Sequence, residues 1–264
     1  MNIFLREIKA HRKSLIFWCI GMFFMIVAGM VKYLGYSSSG PSINDLVAQI
    51  PKSIQSVLGF GTFDLTKATG FYGMLYLYLT VMAAIHASML GAGIISKEER
   101  DKTSEFLFVK PVSRNRIIAS KILAAFVNII VLNIITCTAS MLVFGYYGKG
   151  EDISGEIMKL MTGMFILQLM YMFIGTGVAA VSKKPKTAAS TATGIMLFTF
   201  ILSVAVDMSV KLEGLKYFTP FKYFSAKDLM VEGFNSVFII LSIAIIAALL
   251  SITFVFFKKR DLHV

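Results

Sequence analysis

The sequence predicts an all-α protein that crosses a membrane six times, and two observations carry that prediction. Hydrophobic residues make up 56% of the 264-residue chain and charged residues only 16%, with a mean hydropathy of +0.74, too apolar for a water-soluble fold of this length. Six windows, about Leu15–Leu34, Tyr72–Ile95, Ile117–Phe144, Ile157–Val181, Thr187–Val206 and Ser236–Phe257, can each cross about 30 Å of hydrocarbon at roughly 1.5 Å per residue. Lipid offers the backbone no hydrogen-bond partner, so each window is expected to be helical.

Charge sets the expected orientation. The N-terminus, Ser96–Lys121, Ser182–Lys186 and the C-terminal tail hold 17 of the 26 Lys and Arg residues and only 6 of the 15 acidic ones. The remaining segments hold 9 of each, so the formal charge of +11 falls on one face, which the positive-inside rule makes cytoplasmic. Both termini are then inside, in the inner or cytoplasmic membrane of a cell. Topology and contact with anionic membrane lipids explain the basic balance better than nucleic-acid binding. Cys19 and Cys137 each fall inside a span and read as small apolar side chains, not a disulfide framework. The first apolar run exceeds the h-region of a signal peptide and no A-x-A-like site follows it, so it is expected to remain as a span.

In chain order, residues 1–14 place Ile3, Phe4, Ile8 and Leu15 on one helical face, which predicts an interfacial helix before the chain turns into the bilayer. The external loop Gly35–Phe71 repeats apolar residues near a 3.6 period, and Pro51 predicts a kinked or two-part helix. The aromatics of Tyr217–Phe224 are expected at the outer head-group level. No repeat or soluble domain interrupts residues 1–264, which read as one transmembrane domain.

Two stripes of small residues run along the second span, Ala83/Ala87/Gly91 and Ala84/Ser88/Ala92, and the fifth span begins with a narrow stretch that includes Ser190 and Gly194. Such spacing predicts close helix packing, within the chain or in a dimer; the functional alternative is a translocation pathway lined by Ala83, Ala87, Gly91, Ser190, Gly194 and His86. His86 itself reads first as a neutral side chain hydrogen-bonded to a neighbouring helix, as do Asn128, Asn133 and Gln168. The methionines around the fourth span read as apolar filling.

Catalytic patterns are missing from the sequence. The three histidines, His11, His86 and His263, build no HExxH pair, and there is neither a GxSxG elbow nor a CxxC. Gly145-Tyr-Tyr-Gly-Lys-Gly150 lacks the spacing and hydroxyl of a phosphate-binding loop, so the chain is expected to be no enzyme and to bind no nucleotide, cofactor or metal.

The most informative segment is the charge-dense connector at Ser96–Lys121, of which residues 96–116 are expected on the cytoplasmic side as a docking segment. Ser96 and Glu99 have capping-box spacing, Thr103 and Glu105 offer a second helix start, and Pro111 should end the short helix. Ser113 can cap the third span, and Phe106 and Leu107 begin an apolar patch. A span ending in Glu98-Glu99, then Thr103-Ser-Glu-Phe-Leu107, Pro111-Val-Ser-Arg114 and Lys121, resembles the permease subunits of type-2 ABC transporters. Thr219-Pro-Phe-Lys-Tyr223 is similar to a second motif of that family, S-P-F-x-Y, and Lys102 departs from it where a glycine is usual.

The resemblance implies that residues 96–116 are a coupling segment, with a coupling helix seated in a groove of a separate ABC ATPase that carries ATP and Mg²⁺. Glu98, Glu99, Arg100, Thr103 and Glu105 would belong to the docking surface, with Phe106 and Leu107 filling the groove. It also implies a second permease, a copy or a paralogue, and export of cargo that in this family includes peptides and drugs; the short loops and the lack of a glycan-sized polar lining point to hydrophobic or amphipathic compounds, such as peptides. The alternatives are a non-transporting membrane scaffold or sensor that docks a cytoplasmic partner, and a secondary carrier.

Overall fold

A computed structural model describes residues 3–38, 42–60, 63–102, 112–148, 152 and 154–259. Its helices are α1 (Ile3–Ser38), α2 (Ser42–Ala48), α3 (Lys52–Leu58), α4 (Ala68–Arg100), α5 (Arg114–Tyr147), α6 (Ser154–Val181), α7 (Ala188–Met208), α8 (Ala226–Val231) and α9 (Ser236–Lys259). Six of them, α1, α4, α5, α6, α7 and α9, are long and apolar enough to cross a membrane. No strand occurs among the described residues.

Side-chain size decides which helices lie at the centre. The apolar windows of α4 and α6 are 72% and 67% buried, against 17% for α1 and 11% for α9. α4 and α6 also share the most extensive helix pairing of the chain. A Cβ on Gly91 would stand 2.1 Å from the Met172 carbonyl oxygen, and one on Gly175 would stand 2.4 Å from that of Ser88. The two backbones are thus nearly in contact, an approach only glycine permits. Ala83, Ala84, Ala87, Ser88 and Ala92 are fully buried around this crossing. On the N-terminal side of the crossing, Tyr72, Tyr76 and Leu79 of α4 and Met164, Leu167 and Tyr171 of α6 are buried and fill the wider gap.

The N-terminal segment differs from expectation. Residues 3–14 do not form a separate helix that turns at Ser14; they continue into the first span as one helix. No proline or glycine stands between Ile3 and Ile20 to break it. The loop between the first two spans follows the predicted division, with α2 and α3 separated at Pro51, which is the N-cap of α3. Gln55 ties the two together by donating Nε2 hydrogen bonds to the carbonyls of Val47 (3.0 Å) and Ile50 (2.6 Å).

The aromatic run before α9 is also placed differently. Only Tyr217 and Phe218 are exposed, whereas Phe221, Tyr223 and Phe224 enter the core. Phe221 packs on Tyr171 and Phe200, each with ring centroids 5.3 Å apart, and Tyr223 stacks on Phe238 at 4.8 Å. Two short 3₁₀ turns, Val210–Phe218 and Pro220–Lys222, fold the chain back on itself. The Thr219 hydroxyl donates to the Thr199 carbonyl at 2.9 Å and the Tyr223 hydroxyl to that of Tyr217, so the polar atoms are satisfied as the rings are buried.

Candidate functional site

Three helix ends meet at the base of the connector. Glu98 lies in the last turn of α4, facing the first turns of α1 and the second turn of α5. Its Oε1 accepts a hydrogen bond from Arg6 Nη2 at 2.8 Å, and its Oε2 accepts from Lys121 Nζ at 2.5 Å. The same Arg6 nitrogen reaches Glu7 Oε1 at 2.8 Å, while Lys97 Nζ and His11 Nε2 stand 4.0 and 3.9 Å from Glu7 Oε2. Lys121 also donates to the Ile94 carbonyl at 2.5 Å. The result is a clamp of three cations, Arg6, Lys97 and Lys121, around the carboxylates of Glu7 and Glu98.

Burial makes this clamp unusual. Glu7 and Lys121 are fully buried and Glu98 is 6% exposed. Charges withdrawn from water are stable only when each has close, well-oriented partners, and loss of one partner is costly. The clamp also offsets a local conflict. Glu98 and Glu99 lie in the last turn of α4, where the helix dipole disfavours anions. Pairing with Arg6 and Lys121 offsets this for Glu98.

These positions revise part of the sequence reading. Ser96 caps no helix: it lies inside α4, and its hydroxyl donates to the Ala92 carbonyl at 2.8 Å. The small-residue stripe continues through Ser96 into the connector, so α4 runs on to Arg100. Glu98 is engaged inside the chain instead of facing outward. Glu99 is half-buried, and Arg100 is exposed with its Nε on Asp101 Oδ1 at 3.0 Å. That guanidinium contact holds the Asp101 carboxyl below its ordinary range.

Lys102 then adopts φ 55°, the left-handed conformation that ends many helices and favours glycine. This is the position at which the sequence departs from the expected glycine. Thr103, Glu105, Phe106 and Leu107 lie outside the described residues. Beyond them, Ser113 caps α5 as expected, its Oγ accepting from the Arg116 backbone N–H at 3.4 Å. Arg114 Nη1 donates to the Lys258 carbonyl at 3.0 Å, which brings the end of α9 to the same end of the bundle.

The candidate pathway residues do not gather in one place. Ala83, Ala87 and Gly91 are buried within the chain and serve its own helix packing, so in this structure they line no open route. Ser190 and Gly194 are exposed on α7, and a Cβ on Gly194 would meet nothing within 4 Å. His86 is 3% exposed, and its Nδ1 has no hydrogen-bond partner among the described residues. It packs against the Trp18 ring at 5.4 Å, where a hydrogen bond to a neighbouring helix was expected. Asn133 does bridge α5 to α6 through the Met161 carbonyl (3.1 Å) and Gln168 Oε1 (3.3 Å), but among the described residues Asn128 donates only to the Ala124 carbonyl of its own helix.

The sequence reading missed the clamp roles of Arg6 and Glu7 and the burial of Lys121. For Lys121 a signal was present, since it falls on the apolar stripe Ile117, Ala124 and Asn128 that α5 buries. Arg6 and Glu98 are 92 residues apart, so no local pattern links them.

A search of curated proteins gives no match. A family model described as ABC-2 family transporter protein matches residues 1–262, almost the entire chain. This agrees with the six apolar helices and the motifs at the connector. The chain is therefore a multi-pass membrane protein that belongs to the ABC-2 transporter family, as the permease subunit of an ABC transporter that works with an ABC ATPase partner.

Proposed function

We propose that this permease belongs to an ATP-driven exporter of the cytoplasmic membrane, and that the clamp relays force from the ATPase into the bundle. The connector faces the cytoplasm, and Phe106 and Leu107 fill a groove on the ATPase while Glu99, Arg100, Thr103 and Glu105 pair around it. ATP and Mg²⁺ belong to the partner. Glu98 acts one step back from this contact, as a positioning residue. It joins the end of α4 to α1 through Arg6 and to α5 through Lys121, so a push on the connector moves three helix ends together.

That three-way junction is the observation that carries the reading. A loop that merely joined two spans would have no need of buried charge at its base, because an exposed turn satisfies its polar groups with water. A second permease packs on the exposed narrow face of α7 at Ser190 and Gly194, completing a transporter of two permeases and two ATPases. Hydrophobic or amphipathic compounds, including peptides, suit a bundle whose interior is dominated by Met, Phe, Tyr and aliphatic side chains.

The test is co-purification. Replacing Phe106 and Leu107 together by aspartate should leave the chain in the membrane and release the ATPase. Undiminished co-purification would overturn the docking.

A further inference from the structure

At the connector end of the bundle a crevice of about 280 Å³ opens between α1 and α4. Its mouth is cationic through Lys97 and Arg100, with the His11 ring beside them held neutral by burial, and its walls are apolar, with Leu15, Met89 and Leu90. Trp18 and His86 lie at the deep end. From His11 to Trp18 along α1 is about 10 Å at roughly 1.5 Å per residue. The space is open midway, since a Cβ on Gly93, another lining residue, would meet nothing within 4 Å.

Two features of this crevice are unexplained by the fold. At the mouth, Arg100 leans on the exposed Asp101 at 3.0 Å, but Lys97 Nζ and His11 Nε2 stand 4.0 and 3.9 Å from Glu7 Oε2, both too long for a hydrogen bond. Deeper in, the His86 ring is almost fully buried, yet its Nδ1 has no partner among the described residues. A buried polar atom left unpaired is costly, and a ligand that supplies the missing partner removes the cost.

We infer that this crevice binds an anionic phospholipid from the membrane leaflet at the connector end. The phosphate sits among Lys97, Arg100 and His11, an ester oxygen below it accepts from His86 Nδ1, and an acyl chain follows Leu15, Met89 and Trp18. A free phosphate ion would use the mouth alone and leave the apolar walls and His86 unused. A zwitterionic lipid would bring its own cation to a mouth that is already cationic. The site shares Lys97 with the clamp, so its lipid touches the same helix ends that flank the connector. This inference stands on the crevice itself and does not depend on ATPase docking.

Trp18 is the only tryptophan in the chain, so its fluorescence reports on the crevice. The full chain is placed in phosphatidylcholine nanodiscs containing phosphatidylglycerol with brominated acyl chains, bromine being a contact quencher. Quenching should saturate, with about a tenfold preference over brominated phosphatidylcholine, the size expected for one or two favourable cation contacts. Replacing Lys97 and Arg100 by glutamine should abolish the preference. Gly93→Leu should do the same by filling the space while leaving every charge in place, so the test survives if the double variant fails to fold. Equal quenching by the two lipids would overturn the inference, as would a preference that persists in Gly93→Leu. Relief of quenching by inorganic phosphate would overturn it too, by assigning the mouth to a free anion.

Discussion

Replacing Glu98 with glutamine tests the clamp at its centre. The side chain keeps its size, but it can no longer accept two charged hydrogen bonds. In the native chain Oε1 faces Arg6 and Oε2 faces Lys121, and the Lys121 ammonium has no solvent exposure. A glutamine must turn its amide N–H groups toward one of these cations, setting donor against donor beside a buried charge. Breaking one side of a buried ion pair costs about 3–5 kcal/mol. The upper half of that range applies when the amide faces Lys121, because Arg6 retains Glu7 at 2.8 Å and Lys121 is left with the Ile94 carbonyl alone. Lys121→Met should cost less, about 1–3 kcal/mol, since Glu98 keeps Arg6. The double variant should be more stable than the sum of the two losses implies, by a coupling of about 1–3 kcal/mol. Reversible unfolding of the four proteins in mixed micelles, followed by circular dichroism, gives all the required values. Additive losses would refute the reasoning, because they would mean that the two side chains stabilise the protein independently.

Three further outcomes are expected. Gly91→Ala should destabilise the bundle by about 1–3 kcal/mol or prevent its assembly, since the added carbon would lie 2.1 Å from the Met172 carbonyl oxygen, while Gly194→Ala on the open face of α7 should leave the melting temperature unchanged or slightly raised. Equal behaviour of the two in a thermal melt would remove the close crossing of α4 and α6. Lys102→Gly should stabilise the end of α4 by several tenths of a kcal/mol to about 1 kcal/mol, because glycine relieves the positive φ but loses more conformational freedom on folding; hydrogen exchange at residues 97–102 would register it as increased protection. Tyr223→Phe should lower the melting temperature by about 2–4 °C through loss of one hydrogen bond to the Tyr217 carbonyl, whereas no change would argue against the inserted aromatic turn.

What the sequence made legible follows from the range over which each signal acts. The six spans were readable because hydrophobic length is a local property, and Pro51 and Ser113 were readable because turn and cap chemistry is local too. Ser96 misled for the same reason. Its capping-box spacing is a short-range pattern, and it was overridden by burial of the α4 stripe through Glu98. The aromatics of residues 217–224 looked like an interfacial belt, but pairing of Phe221 with Tyr171 and Phe200, of Tyr223 with Phe238 and of Phe224 with Phe234 drew three of them into the core. The clamp was hidden because its partners come from three helices, and charge counting assigned Arg6 and Lys121 to topology before any contact could be known.

Crosslinking at Arg100 tests the central claim most directly. The residue is exposed, at the last position of α4 and next to the clamp. A cysteine there, with Cys19 and Cys137 replaced by serine, should crosslink to the partner ATPase and do so to a different extent with and without ATP. Failure to crosslink in either state, or labelling of that cysteine by an impermeant reagent from outside sealed cells, would contradict a cytoplasmic connector that takes force from an ATPase.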